Sequence, residues 1–247
     1  MAWLSVALWL GPLPVDEAIL RCELIRHDVR DHIVSEAEVL RPLGALYGLA
    51  GRFDTARSMF AESKSRLDEV GLDLNSVLSH HEALTEMLAG NVAFAEERLR
   101  AAYEALETTG ETSLRSTTAA LIARASFTQG RHEDADRFAS ISAELAQPDD
   151  RFTQIMWRGV RARLYALDGA LEEAEAVARA SVTLAAGTDI VNSHADALTD
   201  LAAVLTRADR SDESSRLLVD AFRLYEQKGN VVSARRTRAE LDALTAA

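Results

Sequence analysis

Five glycines, Gly11, Gly51, Gly90, Gly130 and Gly169, stand 40, 39, 40 and 39 residues apart, and a further step of 40 lands on Asp209. A second series, Gly71, Gly110, Pro148-Asp149, Gly187 and Gly229, runs roughly in antiphase. Two turn signals per period leave room for two helices of roughly 15–18 residues and little else. A helix pair of that size cannot bury its apolar face without a neighbour, so the chain is constrained to stack its units one on the next. The predicted fold is all-α, an α-solenoid.

The residues around the turns repeat with them. Gly51-Arg52-Phe53-Asp54-Thr55-Ala56, Gly130-Arg131-His132-Glu133-Asp134-Ala135 and Gly169-Ala170-Leu171-Glu172-Glu173-Ala174 share a register, and Gly90 reaches Ala95 and Asp209 reaches Ser214 at the same offset. A small residue five positions after the turn lets the second helix approach the first closely. A carboxylate three positions after it (Asp54, Glu133, Glu172, Asp212) lies in the first helical turn, where the dipole favours it. The spacing predicts second helices over 15–28, 54–70, 92–109, 132–146, 171–186 and 211–228. First helices are predicted over 31–50, 72–89, 112–129, 150–168 and 189–208. The units run about 1–30, 31–71, 72–110, 111–148, 149–187 and 188–229, in one solenoid over 1–247. Residues 230–247 are expected to form a capping helix, with Val231, Ala234, Leu241 and Leu244 covering the last pair and Arg235, Arg236, Arg238, Glu240 and Asp242 facing water. Pro42, inside a first helix, predicts a kink, and Gly44 and Gly48 after it a bend, a pocket or close packing.

Composition narrows the function classes. Of 247 residues, 48% are apolar but only 6% aromatic, and four are prolines, which suits an all-helical chain. Its 39 acidic residues exceed its 27 lysines and arginines, giving a net charge of −12 that argues against nucleic acid, whose phosphates need a basic face. The lone Cys22 allows no internal disulfide, which fits a reducing cytoplasm. Residues 1–10 are apolar but too short to span a bilayer, and they lack the basic start and cleavage site of a secretory leader, so no membrane partner is expected. Trp3, Leu4, Leu8 and Trp9 are read instead as the tail of a first helix. Either it folds onto the first pair, or it marks a truncation or a surface for homo-oligomerisation.

These residues resemble a tetratricopeptide repeat. Leu43-Gly44, Tyr47, Gly51, Ala56, Phe60 and Ser63 fit that pattern well; Ala83, Gly90, Ala95, Leu99 and Ala102 fit in part, as do Ala162, Tyr165, Gly169, Ala174 and Ser181. The period departs from the usual 34, so the helices should be longer by about five residues, or ~7.5 Å. The resemblance implies a right-handed superhelix of antiparallel helix pairs. Longer-period arrays of this kind are similar to the C-terminal repeats of bacterial LuxR-type ATP-dependent regulators and of signalling proteins that join a nucleotide cyclase to an ATPase module. Gly11–Ala18, Trp157–Ala162 and Tyr225–Ala234 carry that likeness. No Walker-type phosphate loop accompanies it, so the resemblance implies the regulatory array alone.

No constellation of residues points to catalysis, a metal or a cofactor. His80 and His81 are adjacent on one helix and point about 100° apart, which suits no single metal ion. His27 and His32 flank a turn with Asp28 and Asp31, but without a ligand-spacing signature. His132 and His194 read as structural or solvated. Cys22 lies on an apolar helix face, and no serine sits in a nucleophile elbow. Carboxylates at helical spacing from arginines, such as Glu97 with Arg100 and Glu172 with Arg179, read as solvated helix faces. The chain is therefore not expected to be an enzyme.

The concave face carries the functional expectation. In tetratricopeptide arrays the first helices line the groove, and the matching offsets here select Arg41, His80, Leu84, Arg124, Arg163 and Thr199. Arg158 and Arg161, beside Trp157, could join Arg124 and Arg163 in a basic patch, or these arginines could pair with acids such as Asp150 and Asp196 on neighbouring helices. Arginine beside an aromatic ring is favoured at binding hot spots. The expected function is that of a protein- or peptide-binding scaffold within a cytoplasmic bacterial signalling or transcription regulator, its partner including an acidic segment. The alternative is a small-molecule or peptide sensor that controls an attached effector.

Overall fold

The computed structural model describes the backbone of residues 2–72 and 75–246 and the side chains of residues 3–72 and 80–245. Among the described residues the regular structure is helical throughout. A short helix α1 (Ala2–Leu10) precedes six second helices, α2 (Val15–Val29), α4 (Phe53–Glu69), α6 (Val92–Thr109), α8 (His132–Leu145), α10 (Leu171–Ala186) and α12 (Ser211–Lys228). They alternate with α3 (Ile33–Leu49), α5 (Asn75–Ala89), α7 (Ser113–Thr128), α9 (Arg151–Leu167) and α11 (Val191–Arg207), and α13 (Val231–Ala246) closes the chain. The expected helices recur within a few residues of their bounds; the start expected at 72 falls beside residues 73 and 74, which lie outside the described residues.

The turn chemistry explains the 39–40-residue period. In the five connections from α3 to α4, α5 to α6, α7 to α8, α9 to α10 and α11 to α12, the amide of the residue just after the turn glycine or aspartate donates to the carbonyl five residues back: Arg52 to Tyr47, Asn91 to Glu86, Arg131 to Ser126, Ala170 to Tyr165 and Arg210 to Leu205. This Schellman closure requires a left-handed residue before the donor, and Gly51, Gly90, Gly130 and Gly169 supply it at φ +72°, +91°, +73° and +81°. Asp209 takes the same place at φ +57°, an angle that Asp tolerates better than most residues with a side chain. The small residue five positions on is then completely buried in these five units, at Ala56, Ala95, Ala135, Ala174 and Ser214.

First helices form the inner layer, α1 packing on α3, α3 on α5, α7 on α9 and α9 on α11. Their sequences show it: Ala119 to Ala123 in α7 are buried without a break, as expected of a helix covered on all sides. Second helices are amphipathic and form the outer layer. Its surface carries ion pairs between successive second helices, Arg26 with Glu62, Arg100 with Asp134 and Arg179 with Glu213. The near-sequence pairing expected for two of these arginines is corrected: Arg100 takes Glu96 and Arg179 takes Glu175, because those positions lie one full turn away on the same face.

Helix α3 runs unbroken through Pro42, and its glycines serve close packing. A Cβ at Gly44 would stand 2.7 Å from Phe60 Cε1, and one at Gly48 would stand 2.7 Å from Thr85 Cγ2. Gly44→Ala is therefore expected to cost about 1–3 kcal/mol through overpacking, measured as a drop in thermal stability.

The two ends of the array meet. Lys228, with no exposed surface, donates from Nζ to the carbonyls of Leu8, Gly11 and Leu13 at 3.0, 2.7 and 2.8 Å. A Cβ on the adjacent Gly229 would lie 3.3 Å from Val15 Cβ, so the ends touch at the backbone. On α13, Arg236 donates to the Leu88 carbonyl at 2.6 Å instead of facing only water, and Val231 is 47% exposed instead of covering the last pair. Among the described residues of that helix Ala234 and Thr237 are buried. The superhelix thus closes into a ring around the groove.

Candidate functional site

Closure turns the concave face into two adjoining pockets. The first, about 100 Å³, is apolar: Trp9 from α1, Leu49 from α3, Leu84 and Leu88 from α5, and Phe152 and Met156 from α9 converge on it. Trp9 reaches it across the ring, its indole 4.6 Å from the His81 ring and 6.4 Å from that of Phe152. Helix α1 therefore folds back onto the array, while Trp3 and Leu4 at its start stay exposed at 85% and 52%. The second pocket, about 220 Å³, has charged walls of both signs, Arg124, Arg163 and Arg236 against Asp196, Asp200 and Glu240. Leu84, Leu88, Arg124, Asp196 and Ser233 belong to both.

The arginines in this wall are held by acids of α11. Arg124 Nη2 lies 2.8 Å from Asp200 Oδ2, and Arg163 Nη1 lies 3.5 Å from Asp200 Oδ1. Asp196 accepts from the Tyr225 hydroxyl. Burial disfavours the Arg124 charge, but Asp200 and Asp196 outweigh it and hold the guanidinium protonated above its ordinary range. Burial likewise raises the Asp196 carboxyl, against the pull of Arg124 and Tyr225. Arg124 Nε, buried, has no hydrogen-bond partner among the described residues. Gly159 makes the approach possible, since a Cβ there would overlap the Asp200 carboxylate.

Of the groove residues expected from sequence, the structure brings together Leu84, Arg124, Arg163 and Thr199. His80 bonds the Thr118 hydroxyl at 2.7 Å, and its burial beside Arg41 pushes its pKa down to about 4, so it is neutral at pH 7. Arg41 lines a separate cleft with Arg57, Phe60, Lys64, Glu82 and Arg98. Trp157, Arg158 and Arg161 lie apart from both pockets. Trp157 packs into the core formed with α7, Arg158 stacks on its ring at 4.2 Å, and Arg161 donates to the Ser140 hydroxyl on α8. The basic patch is therefore divided: Arg158 and Arg161 sit close to Arg163 in sequence but on another face of α9.

Cys22 and His81 resolve as packing groups, whereas His27, His32 and His132 lie at the surface. Cys22 is fully buried, and burial pushes its thiol up to about 12. His81 packs at a tilt against Trp9, and burial holds it down at about 3. Among the described residues no three His, Cys, Asp or Glu side chains are placed to hold one metal ion, and no helix is long and apolar enough to cross a membrane. Sequence reasoning missed Trp9, Asp200, Tyr225 and Arg236 in the groove. Asp200 carried a readable signal, since it follows Thr199, itself at a groove-facing offset.

No protein-family model and no curated protein matches the chain. Solved structures do. The quorum sensor NprR in complex with its cognate peptide NprX superposes with a TM-score of 0.65 at 14% identity, over 93% of this chain and 70% of that one. BtubC (BKLC) from P. vanneervenii gives 0.62 at 15%, over 86% of this chain and 91% of that one. A Podosopora anserina putative kinesin light chain with TPR-like repeats gives 0.50 at 18%, over 86% and 98%. At such identities the likeness speaks for fold, and it agrees with the repeat geometry above. The chain has the fold of a tetratricopeptide-like α-solenoid of antiparallel helix pairs.

Proposed function

We propose that the array is a peptide- or protein-binding module whose concave groove holds a segment of a partner. The supporting observation is convergence: side chains from α1, α3, α5, α7, α9, α11 and α13 meet around one connected space with an apolar floor and a charged wall. Apolar pockets with a few directed polar groups are the usual form of a ligand site. NprR, a protein of this fold, forms a complex with its cognate peptide, which is consistent with the reading. The setting of this chain, in our reading, is a cytoplasmic bacterial signalling or transcription regulator in which binding shifts an attached effector between states. The expected acidic segment has a competitor in Asp200, which already sits against Arg124 and Arg163.

Arg163 offers the cleanest test, because it is 42% exposed and its loss leaves the Arg124–Asp200 pair in place. Peptides selected from a random displayed library against the intact protein should bind Arg163→Glu at least ~10-fold more weakly, about 1.4 kcal/mol. Equal affinity for the two proteins would remove Arg163 from the binding surface, and a library that yields no binder would remove the reading itself. The sensor alternative is supported by the ring closure, which suits a small ligand; it predicts stabilisation by a soluble compound in a thermal-shift screen.

A further inference from the structure

The two pockets differ in a way that specifies a ligand more narrowly than a partner segment. The first is small and apolar. An apolar cavity of roughly 150 Å³ in a protein core holds a benzene ring, so about 100 Å³ suits one aliphatic side chain and not a helix. The second opens beside it and carries three cationic and three acidic side chains, so its formal charge is zero. A ligand bearing a single sign of charge would meet as much repulsion there as attraction. One carrying both signs, or a charged end next to a hydrogen-bonding amide, could satisfy both walls. Arg124 and Asp196 line both pockets, which places charge within reach of whatever fills the apolar one. Arg124 adds a donor, Nε, that is buried and unused among the described residues.

We infer that the ring binds a net-neutral aliphatic amino acid or the free end of a short peptide, with the side chain in the pocket bounded by Trp9, Leu84 and Met156 and the charged head between Arg124, Arg163, Asp196 and Glu240. This rests on the groove being the binding surface, as proposed above, and it names the class of ligand. Ring closure supports the small size, because Lys228 ties the end of α12 to the end of α1 and Arg236 ties α13 to α5 across the space that a longer partner would have to thread.

The test is calorimetric titration of the intact protein with L-leucine, Leu-Gly-Gly and Gly-Gly-Leu, with N-acetyl-leucinamide and triglycine as controls. At least one leucine-bearing probe with a free charged end should bind at least tenfold more tightly than both controls, and which of the three does so separates free amino acid from peptide amino or carboxyl end. Ala45 lies on the apolar pocket, and Ala45→Phe should abolish that binding. Should Ala45→Phe not fold, the double variant Arg163→Gln/Glu240→Gln, at the mouth of the charged pocket, should weaken it at least fivefold. Equal binding of N-acetyl-leucinamide or triglycine, or full affinity in a folded Ala45→Phe protein or in the double variant, overturns the inference. Failure of all the short probes while library-selected peptides still bind overturns it and leaves the groove reading standing. Failure of both sets removes both.

Discussion

Lys228→Ala lowers the unfolding temperature by ~8–16 °C, the expected result for a loss of about 4 kcal/mol in a chain of this size. The magnitude follows from what the side chain does. Its ammonium has three hydrogens, and each has a carbonyl within 3.0 Å, at Leu8, Gly11 and Leu13. Truncation leaves those acceptors without their donor, at roughly 1–3 kcal/mol for each that water cannot reach, and empties the space filled by the three methylenes beyond Cβ. The contacts join residues more than 200 positions apart, so they also hold the ring shut. In a Trp3→Phe/Trp157→Phe background Trp9 is the sole indole, and its quenching by acrylamide should rise when Lys228 is removed. Unchanged quenching in a folded variant would show that the ends stay together without the lysine.

The same residue sets a pH dependence. Burial pushes the Lys228 ammonium down to about 8, with Cys22 opposing, whereas the unfolded lysine titrates at its ordinary value of 10.5. Between these values the unfolded chain holds a proton that the native chain has released. Stability therefore rises with pH across this window, by at most ~1.4 kcal/mol per unit from this group. Lys228→Met should lack that part of the slope in denaturant titrations between pH 8 and 10.5, and an unaltered slope would assign it elsewhere.

The repeat was legible because turn chemistry is local. A left-handed residue every 39 or 40 positions and a small residue five places later can be read without knowing any contact, and Asp209 was found by count although it is not glycine. That the first helices lie inside was implied by the resemblance to tetratricopeptide arrays and not by the turns themselves. Ring closure was not legible, because it depends on accumulated twist over six units, and a buried lysine at the end of α12 looks in sequence like an ordinary solvated helix end. The groove was legible by halves. Offset counting reached Leu84, Arg124, Arg163 and Thr199, but it also gathered Arg158 and Arg161, whose rotation about α9 carries them away from the pockets, Arg161 towards α8. Trp9 could not be assigned to the groove before the ends were known to meet.

Asp200→Ala should destabilise the array by about 3–5 kcal/mol, far more than Arg163→Ala, although both remove one member of the same ion-paired group. Asp200 is 3% exposed and is the close partner of Arg124, so its loss strands a guanidinium that is itself only 25% exposed and whose Nε already lacks an acceptor among the described residues. Arg163 is 42% exposed and 3.5 Å from Asp200, where solvent screening leaves a pair worth less than about 1 kcal/mol. Gly159→Ala attacks the same pair sterically, since the added Cβ would occupy the place of the Asp200 carboxylate and force it from Arg124. If the pair is the element at stake, Gly159→Ala and Asp200→Ala should not add: the double variant should unfold close to the worse of the two singles, because the carboxylate that Gly159 accommodates is gone. Full additivity in chemical denaturation would mean that Gly159 matters for helix packing between α9 and α11 and not for the ion pair. Asp200→Asn keeps the shape and an acceptor oxygen for Arg124, so it should recover part of the loss, while shifting the charged pocket to a net positive charge that favours acidic ligands over neutral ones.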